Sequence, residues 1–373
     1  MPIVIQPYRE VHEAAVREFN QRLTGTGASQ DLVFFTKSQP QWLPKAEGSN
    51  LYQEFFVALE GSSVRGGYAM KYQDFSFANG ETCLIGYYHH PVSEGIVNSS
   101  YATVGAMLLK DAMNRSSLLY CLGMGGYDRP LPKMLIRLGW SHFAVPFYFH
   151  VVHPSRFLRH IEAARTSLPR KIAMDLAAFS GLGWAGIKAA QGLKKLGSPQ
   201  HKEITADRFE AFEEWADPLW ERAKRHYTMT AVRDCRNLQR LYPASEAHLI
   251  RVRVRRGPQD LGWAVVAERR KGDKYGDLRV GSIVDCWAEP ENAAFVMRAA
   301  TEVLSDLGMD LIVSNQSHAT WAQALEHSGF LSSDSNFILA AGKKLSGLLE
   351  PFAEQRPRVH FTRADGDGLP RNF

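Results

Sequence analysis

His89 and His90 stand side by side at the end of an apolar, strand-like run, Thr82 to Pro91 (TCLIGYYHHP). Histidine is the side chain whose proton affinity lies nearest working pH, so either ring could take a proton from an amine; a structural, hydrogen-bonded role is the alternative. Downstream, Ser99, Ser100, Thr103, Gly105 and Ala106 surround the start of a helical pattern. Small residues there let backbone amides and the partial positive charge of a helix start approach a phosphate, while Gly105-Ala106 equally suits close helix packing. Asp285 follows Ile283-Val284. A carboxylate at the rim of a buried strand must be paired or solvated, so it meets either a substrate amine or an arginine, and the arginine is the plainer expectation. Glu54, mid-strand among Phe55, Phe56 and Val57, is a further carboxylate, best placed on a solvent face.

Three other patterns carry less chemistry. Gly181-Leu182-Gly183-Trp184-Ala185-Gly186 satisfies G-x-G-x-x-G but lies in a helical stretch without a preceding strand, which argues against a dinucleotide. Arg251, Arg253 and Arg255 alternate with Ile250, Val252 and Val254, so the arginines share one strand face, read as solvated or as an anion or RNA surface. Asp365-Gly366-Asp367-Gly368 lacks the remaining ligands of a calcium loop, and no metal site is expected.

The elements that must position these residues occur twice, at an offset of about 190 to 200 residues. Ile3-Val4-Ile5 and Glu203-Ile204-Thr205 read as strands leading into helical patterns over Val11 to Leu23 and Phe209 to Ala223. Thr82 to Pro91 matches Ser282 to Pro290 (SIVDCWAEP), and Leu118-Leu119-Tyr120 matches Leu311-Ile312-Val313. Helices ending at Gly139-Trp140 and Ser328-Gly329-Phe330 follow. In the first copy, hairpin signals at Glu60-Gly61-Ser62-Ser63 and Asn79-Gly80 predict an antiparallel meander, then a helix over Tyr101 to Asn114 and a last strand over Phe143 to Val151. The fold class is α/β (mixed α+β), with two mixed-sheet domains from an internal duplication. The expected division is 1–152, a helical linker 153–200, 201–345, and a C-terminal tail 346–373.

At 373 residues, with 45% hydrophobic and 22% charged residues, the composition is that of a globular protein of about two domains. The formal charge of +5 is spread along the chain, which permits an anionic ligand without arguing for duplex nucleic acid. Cys83, Cys121, Cys235 and Cys286 have no CxxC spacing, and no apolar signal segment opens the chain, so a cytoplasmic location is expected. The stretch Ala173 to Ile187 is too short and broken to span a bilayer. Its basic flanks suit peripheral contact with an anionic membrane, but a helix packed between the two copies explains the pattern more simply.

The order of elements, the proline after the fourth strand and the Gly-aromatic pair closing the last helix resemble the GNAT superfamily of acyl-CoA-dependent N-acyltransferases, over nearly all the chain outside linker and tail. The resemblance implies that Tyr88 to Pro91 ends the splayed fourth strand, whose backbone pairs with pantetheine. It also implies that Ser100, Thr103, Gly105 and Ala106 form the pyrophosphate loop. The loop departs from the family pattern: its leading Arg or Gln is absent, and Thr103 stands where a glycine is expected. In the second copy, Glu289 to Thr301 has no glycine at all. The tyrosine that commonly protonates the departing thiolate is replaced by Leu135 and Leu325, leaving Tyr127 as the nearest substitute acid. Tyr87 and Trp287 would line a cleft for the acceptor.

The expected activity is transfer of an acyl group, acetyl first, from acetyl-CoA or another acyl-CoA to a small-molecule or peptide amine by direct attack. Two alternatives stay open: an aminoacyl-tRNA-dependent transferase of the peptidoglycan type, and a non-catalytic ligand-binding protein of the same fold.

Overall fold

The computed structural model describes residues 1–26, 32–162, 165–195, 203–269 and 275–366. The first half contains β1 (Ile3–Pro7), α1 (Glu13–Gly25), β2 (Tyr52–Glu60), β3 (Ser63–Phe77), β4 (Thr82–Ser93), α2 (Val104–Arg115), β5 (Leu119–Gly123), α3 (Pro130–Arg137), β6 (Ser141–Ala144) and β7 (Phe147–Val151). Three linker helices follow: α4 (Pro154–His160), α5 (Leu168–Ser180) and α6 (Leu182–Lys194). The second half contains β8 (Ile204–Phe209), α7 (Ala216–Ala223), β9 (Met229–Ala231), α8 (Cys235–Leu241), β10 (Leu249–Arg256), β11 (Gln259–Arg269), β12 (Val280–Ala288), α9 (Ala293–Asp306), β13 (Leu311–Asn315), α10 (Ala319–His327), β14 (Leu331–Ser333) and β15 (Ile338–Ala341). The last described elements are α11 (Lys343–Gly347), α12 (Phe352–Gln355) and β16 (Val359–His360).

Two mixed sheets result, ordered β1-β2-β3-β4-β5-β15-β6 and β8-β10-β11-β12-β13-β7-β14. The order is the same in both. Along each of these orders one junction is parallel, β4 with β5 and β12 with β13, among antiparallel neighbours; β9 joins the first sheet beside β3 and carries β16 parallel to it. The sheets exchange a strand: β7 from the first half pairs with β13 and β14, and β15 from the second half pairs with β5 and β6. Pro146 explains why the expected continuous strand from Phe143 to Val151 divides into β6 and β7. Proline lacks the N–H a central ladder requires, and the chain leaves one sheet there for the other.

Two helix starts also differ from the sequence pattern. Phe209 ends β8, paired with Arg251, and its helix begins only at Ala216, because Pro218 is tolerated in a first turn but not in a helix interior. Phe209, Phe212 and Trp215 instead form a ring cluster over the sheet. The helix expected from Tyr101 begins at Val104, after two short 3-10 turns whose starts are capped by the Ser93 and Asn98 side chains.

All nine residues of β12 are buried, because α9 covers one face and the C-terminal segment the other. That explains its continuous rather than alternating apolar run. The linker does not lie between the copies. Met174 of α5 and Ile187 of α6 pack on a cluster formed by Val151, Leu278, Val280, Leu311 and Val313, all second-sheet residues or their neighbours. Gly181, with φ of 75°, makes the left-handed link between α5 and α6, which accounts for the first glycine of the G-x-G-x-x-G run.

Candidate active site

One register row crosses four strands of the first sheet. Gln53 pairs with Lys71, Lys71 with Tyr87 and Tyr87 with Tyr120. Because side chains alternate, His89 shares the Tyr87 face, and the two rings stack at 4.8 Å with 8° between planes. The parallel junction covers only Gly86 with Leu119 and Tyr87 with Tyr120. His89 therefore lies just beyond the point where the register stops. Its ring is half-buried, yet its Nε2 is sealed from solvent and has no hydrogen-bond partner. Burial first, then the neighbouring His90 and Lys71, hold its pKa well below the ordinary histidine value.

Lys71 is buried, its Nζ donating to Ala364 O at 3.2 Å and lying 5.6 Å from the Tyr87 ring centroid. Burial outweighs the nearby carboxylates of Asp365 and Asp285 and lowers its pKa to about 8. The Oε1 of buried Gln53 has no partner. Sequence reading missed Lys71 and Gln53. The signal was available: polar residues at alternate positions of aromatic strands point to the same face as apolar neighbours such as Ala69 and Phe75.

The paired histidines are separated. His90 sits at a bulge opposite Gly67 and Ala69 with φ of 49°, its ring against Phe34 and Phe35 and its Nε2 2.7 Å from Val33 O. It belongs to the packing under that loop. Tyr88 points to the face opposite His89, against Tyr68, with its hydroxyl buried and unpartnered. Tyr127 is half-exposed in the turn after β5, its hydroxyl 3.2 Å from His142 Nδ1. Glu54 pairs with Lys45 at 3.3 Å.

At the start of α2, Thr103 is the N-cap and Ala106 is exposed, while a Cβ built on Gly105 would meet nothing within 4 Å. Gly105 is thus not there for helix packing. The first helical bond runs from Met107 N–H to Thr103 O at 3.1 Å, leaving the amides of Val104, Gly105 and Ala106 at the open first turn. Ser100 precedes the helix, its N–H donating to Asn98 Oδ1 at 3.0 Å.

The second copy is built differently at the corresponding place. The junction of β12 with β13 ends at Ile283 and Ser314, and Val359 to Thr362 bridge the strands beyond it. Phe361 N–H donates to Ser317 Oγ at 2.7 Å, Ser317 N–H to Phe361 O at 3.1 Å, and the His360 Nε2 lies 3.1 Å from Cys286 O. The segment expected as a tail is therefore a buried joint between the sheets, with β16 pairing β9 and Tyr120 hydroxyl donating to Asp365 O at 2.8 Å.

Asp285 takes the arginine, not an open amine site. Arg233 donates to both its oxygens at 3.0–3.1 Å, Tyr242 hydroxyl donates at 2.7 Å and Thr362 hydroxyl at 2.9 Å. Arg233 also reaches Asp365 at 2.8 Å, which is the role of the first residue in the Asp-Gly-Asp-Gly run; Asp367 and Gly368 lie outside the described residues. Tyr87 and Trp287 do not line an open cleft. Tyr87 is buried, bonded from its hydroxyl to Leu122 O at 2.9 Å, and Trp287 is in the core against Trp220, Tyr227 and His360. Of the alternating arginines only Arg251 is covered, by the segment after α8, while Arg253 and Arg255 remain partly exposed and are held in ion pairs by neighbouring strands. Arg251 is buried against the carbonyls of Tyr242, Pro243 and Leu249; Arg253 pairs with Asp260 and Arg255 with Asp207. Among the described residues no group of three or more His, Cys, Asp or Glu side chains could hold a metal, and no helix is long and apolar enough to cross a membrane.

Comparison with solved structures identifies this architecture. The chain is similar to a conserved protein of unknown function from Enterococcus faecalis V583, described as a probable N-acyltransferase, at 10% identity and a TM-score of 0.50, covering 94% of this chain and 75% of that one. It is equally similar to Saccharomyces cerevisiae N-myristoyltransferase solved with bound myristoyl-CoA, at 9% identity and a TM-score of 0.50, covering 91% and 79%. The fold is thus the tandem GNAT fold, two mixed-sheet domains in one chain. No protein-family model and no curated protein sequence matches the chain.

Proposed function

We propose that the protein transfers an acyl group from an acyl-CoA to an amine, with the donor held by the first copy. Two observations support this reading: the β4–β5 junction ends early, at Tyr87 with Tyr120, and the α2 start has open space at Gly105. Diverging strands leave backbone groups for the donor's pantetheine arm, and the free first-turn amides and the bare Gly105 suit its phosphates. The second copy lacks both features, since residues 359–362 bridge its strands and no glycine opens α9.

In the first copy the acceptor nitrogen attacks the thioester carbonyl, forming the N–C bond, and the tetrahedral oxyanion collapses with cleavage of the C–S bond. His89 is the base proposed to take the first ammonium proton before attack, since its Nε2 is uncommitted and it lies just beyond the β4–β5 junction; the second nitrogen proton is lost to solvent as the amide forms. Tyr127 and His90 are the lesser candidates. The departing thiolate is a weak enough base to leave unaided and to be protonated by solvent. The donor is acetyl-CoA or a longer acyl-CoA, and the acceptor a small-molecule or peptide amine. For transfer from aminoacyl-tRNA the arginine row offers less than its spacing suggested, because Arg251, Arg253 and Arg255 each have a partner within the chain.

Thermal unfolding with and without acetyl-CoA, and with longer acyl-CoA esters, tests the reading. A ligand held only by the folded chain raises the midpoint with concentration. A midpoint unmoved by any acyl-CoA or by free coenzyme A would favour a non-catalytic ligand-binding role.

A further inference from the structure

Helices α5 and α6 form a hairpin whose outer side is apolar. Leu168, Ile172, Leu176 and Phe179 are 53–77% exposed. At 3.6 residues per turn they fall within about 80° of one another, one stripe along the length of α5. Leu182 and Leu193, 75% and 69% exposed, extend it along α6. The opposite sides of the same helices carry Met174 and Ile187 into the second-sheet core, so the stripe is not a face awaiting the rest of this fold. Exposed large apolar residues of this density are uncommon on a monomer surface.

The surrounding charge selects the partner. Between residues 165 and 195 the sequence has one acidic residue, Asp175, and it is committed to Arg165 at 2.8 Å. Lys171 is exposed beside the apolar stripe, Arg170 is exposed on the flank of α5 away from it, and Lys195 is exposed at the far end of the hairpin. Trp184, 52% exposed, lies in the first turn of α6, on the side away from Leu182 and Leu193. An apolar stripe with cations at its side and end and no free acidic side chain matches a lipid surface, where acyl chains take the first and anionic headgroups the second. Each helix has 13 residues, so the hairpin lies on such a surface and does not cross it.

We infer that the α5–α6 hairpin docks the protein on an anionic membrane surface, with Leu176 and Phe179 among the inserted residues. This inference does not depend on the acyltransferase reading. The test is co-sedimentation of the full chain with vesicles of phosphatidylcholine containing phosphatidylserine, and with phosphatidylcholine vesicles alone. The wild type should pellet with the anionic vesicles and do so less as salt is raised. Leu176→Ser/Phe179→Ser should lower the partition coefficient by at least about tenfold, with an unchanged circular dichroism spectrum and melting midpoint. Leu168→Ser/Leu182→Ser gives an independent reading of the same stripe. Arg170→Glu/Lys171→Glu should remove the preference for phosphatidylserine. Wild type left in the supernatant with both vesicle types, or both serine variants pelleting like wild type, would overturn the inference. So would a lipid-free dimer in light scattering that the serine variants convert to monomer, which would assign the face to a second copy of the chain.

Discussion

The second residue beyond the last parallel pair is His89 in one sheet and Asp285 in the other, the pairs being Tyr87 with Tyr120 and Ile283 with Ser314. Their surroundings are opposite. His89 has a bare Nε2, whereas Asp285 is held by Arg233, Tyr242 and Thr362. The strand beyond the parallel junction thus carries an unpartnered ring nitrogen in the first copy and a buried ion pair in the second.

If His89 is the base, His89→Ala should lower single-turnover acyl transfer by about 10²–10⁴-fold, the range for general-base catalysis, and by more than His90→Ala or Tyr127→Phe. Lys71→Met should raise the His89 pKa, because a neighbouring positive charge is removed. NMR titration of the ring would show it. An unchanged His89 pKa in the Lys71 variant would mean the two groups are not electrically coupled.

Arg233→Met should destabilise the fold by about 3–5 kcal/mol, since it leaves Asp285 and Asp365 buried without their cation. Asp285→Asn should cost less, because Arg233 keeps Asp365. Urea unfolding of both variants measures the difference.

Phe361→Ala should cost about 3–5 kcal/mol, the range for emptying a buried aromatic site. Its ring lies 5.1 Å from Tyr120 and 5.7 Å from Phe75, so the cavity would open at the joint between the sheets. A cost near zero would show that the C-terminal segment is not a structural joint.

Stability should fall on acidification through the histidine range. Burial lowers His150 and His318 from 6.5 to about 4. Between those values the unfolded chain binds the protons and the folded chain does not, so stability is fully present above about 6.5 and declines as pH falls to about 4. Each group contributes on the order of 3 kcal/mol to the loss. His150→Gln should flatten the decline in a series of urea midpoints against pH.

The duplication and strand order were legible because apolar runs, turn signals and terminal prolines recur in the same sequence. The exchange of β7 and β15 was not. Both are short apolar strands that satisfy either sheet, and only long-range pairing decides between them. The buried joint at Val359 to Asp365 was hidden within the expected tail because its one strand, β16, has only two residues and pairs with a strand more than 100 residues earlier. His89 stood out by residue type, but its separation from His90 depends on a bulge and a positive φ that no residue preference announces. Trp287 looked like a cleft residue because its strand ends near the expected site; burial on both faces of β12 puts it in the core.

Isothermal titration of coenzyme A into wild type and Gly105→Val tests the central claim most directly. A Cβ at Gly105 meets nothing within 4 Å, so valine should leave the fold and its melting midpoint intact while blocking approach of phosphates to the α2 amides. The account predicts measurable binding to wild type and at least about tenfold weaker binding to the variant, the loss of about one good backbone-phosphate contact. Equal affinity in a folded Gly105→Val protein, or no binding to either, would contradict a donor site in the first copy.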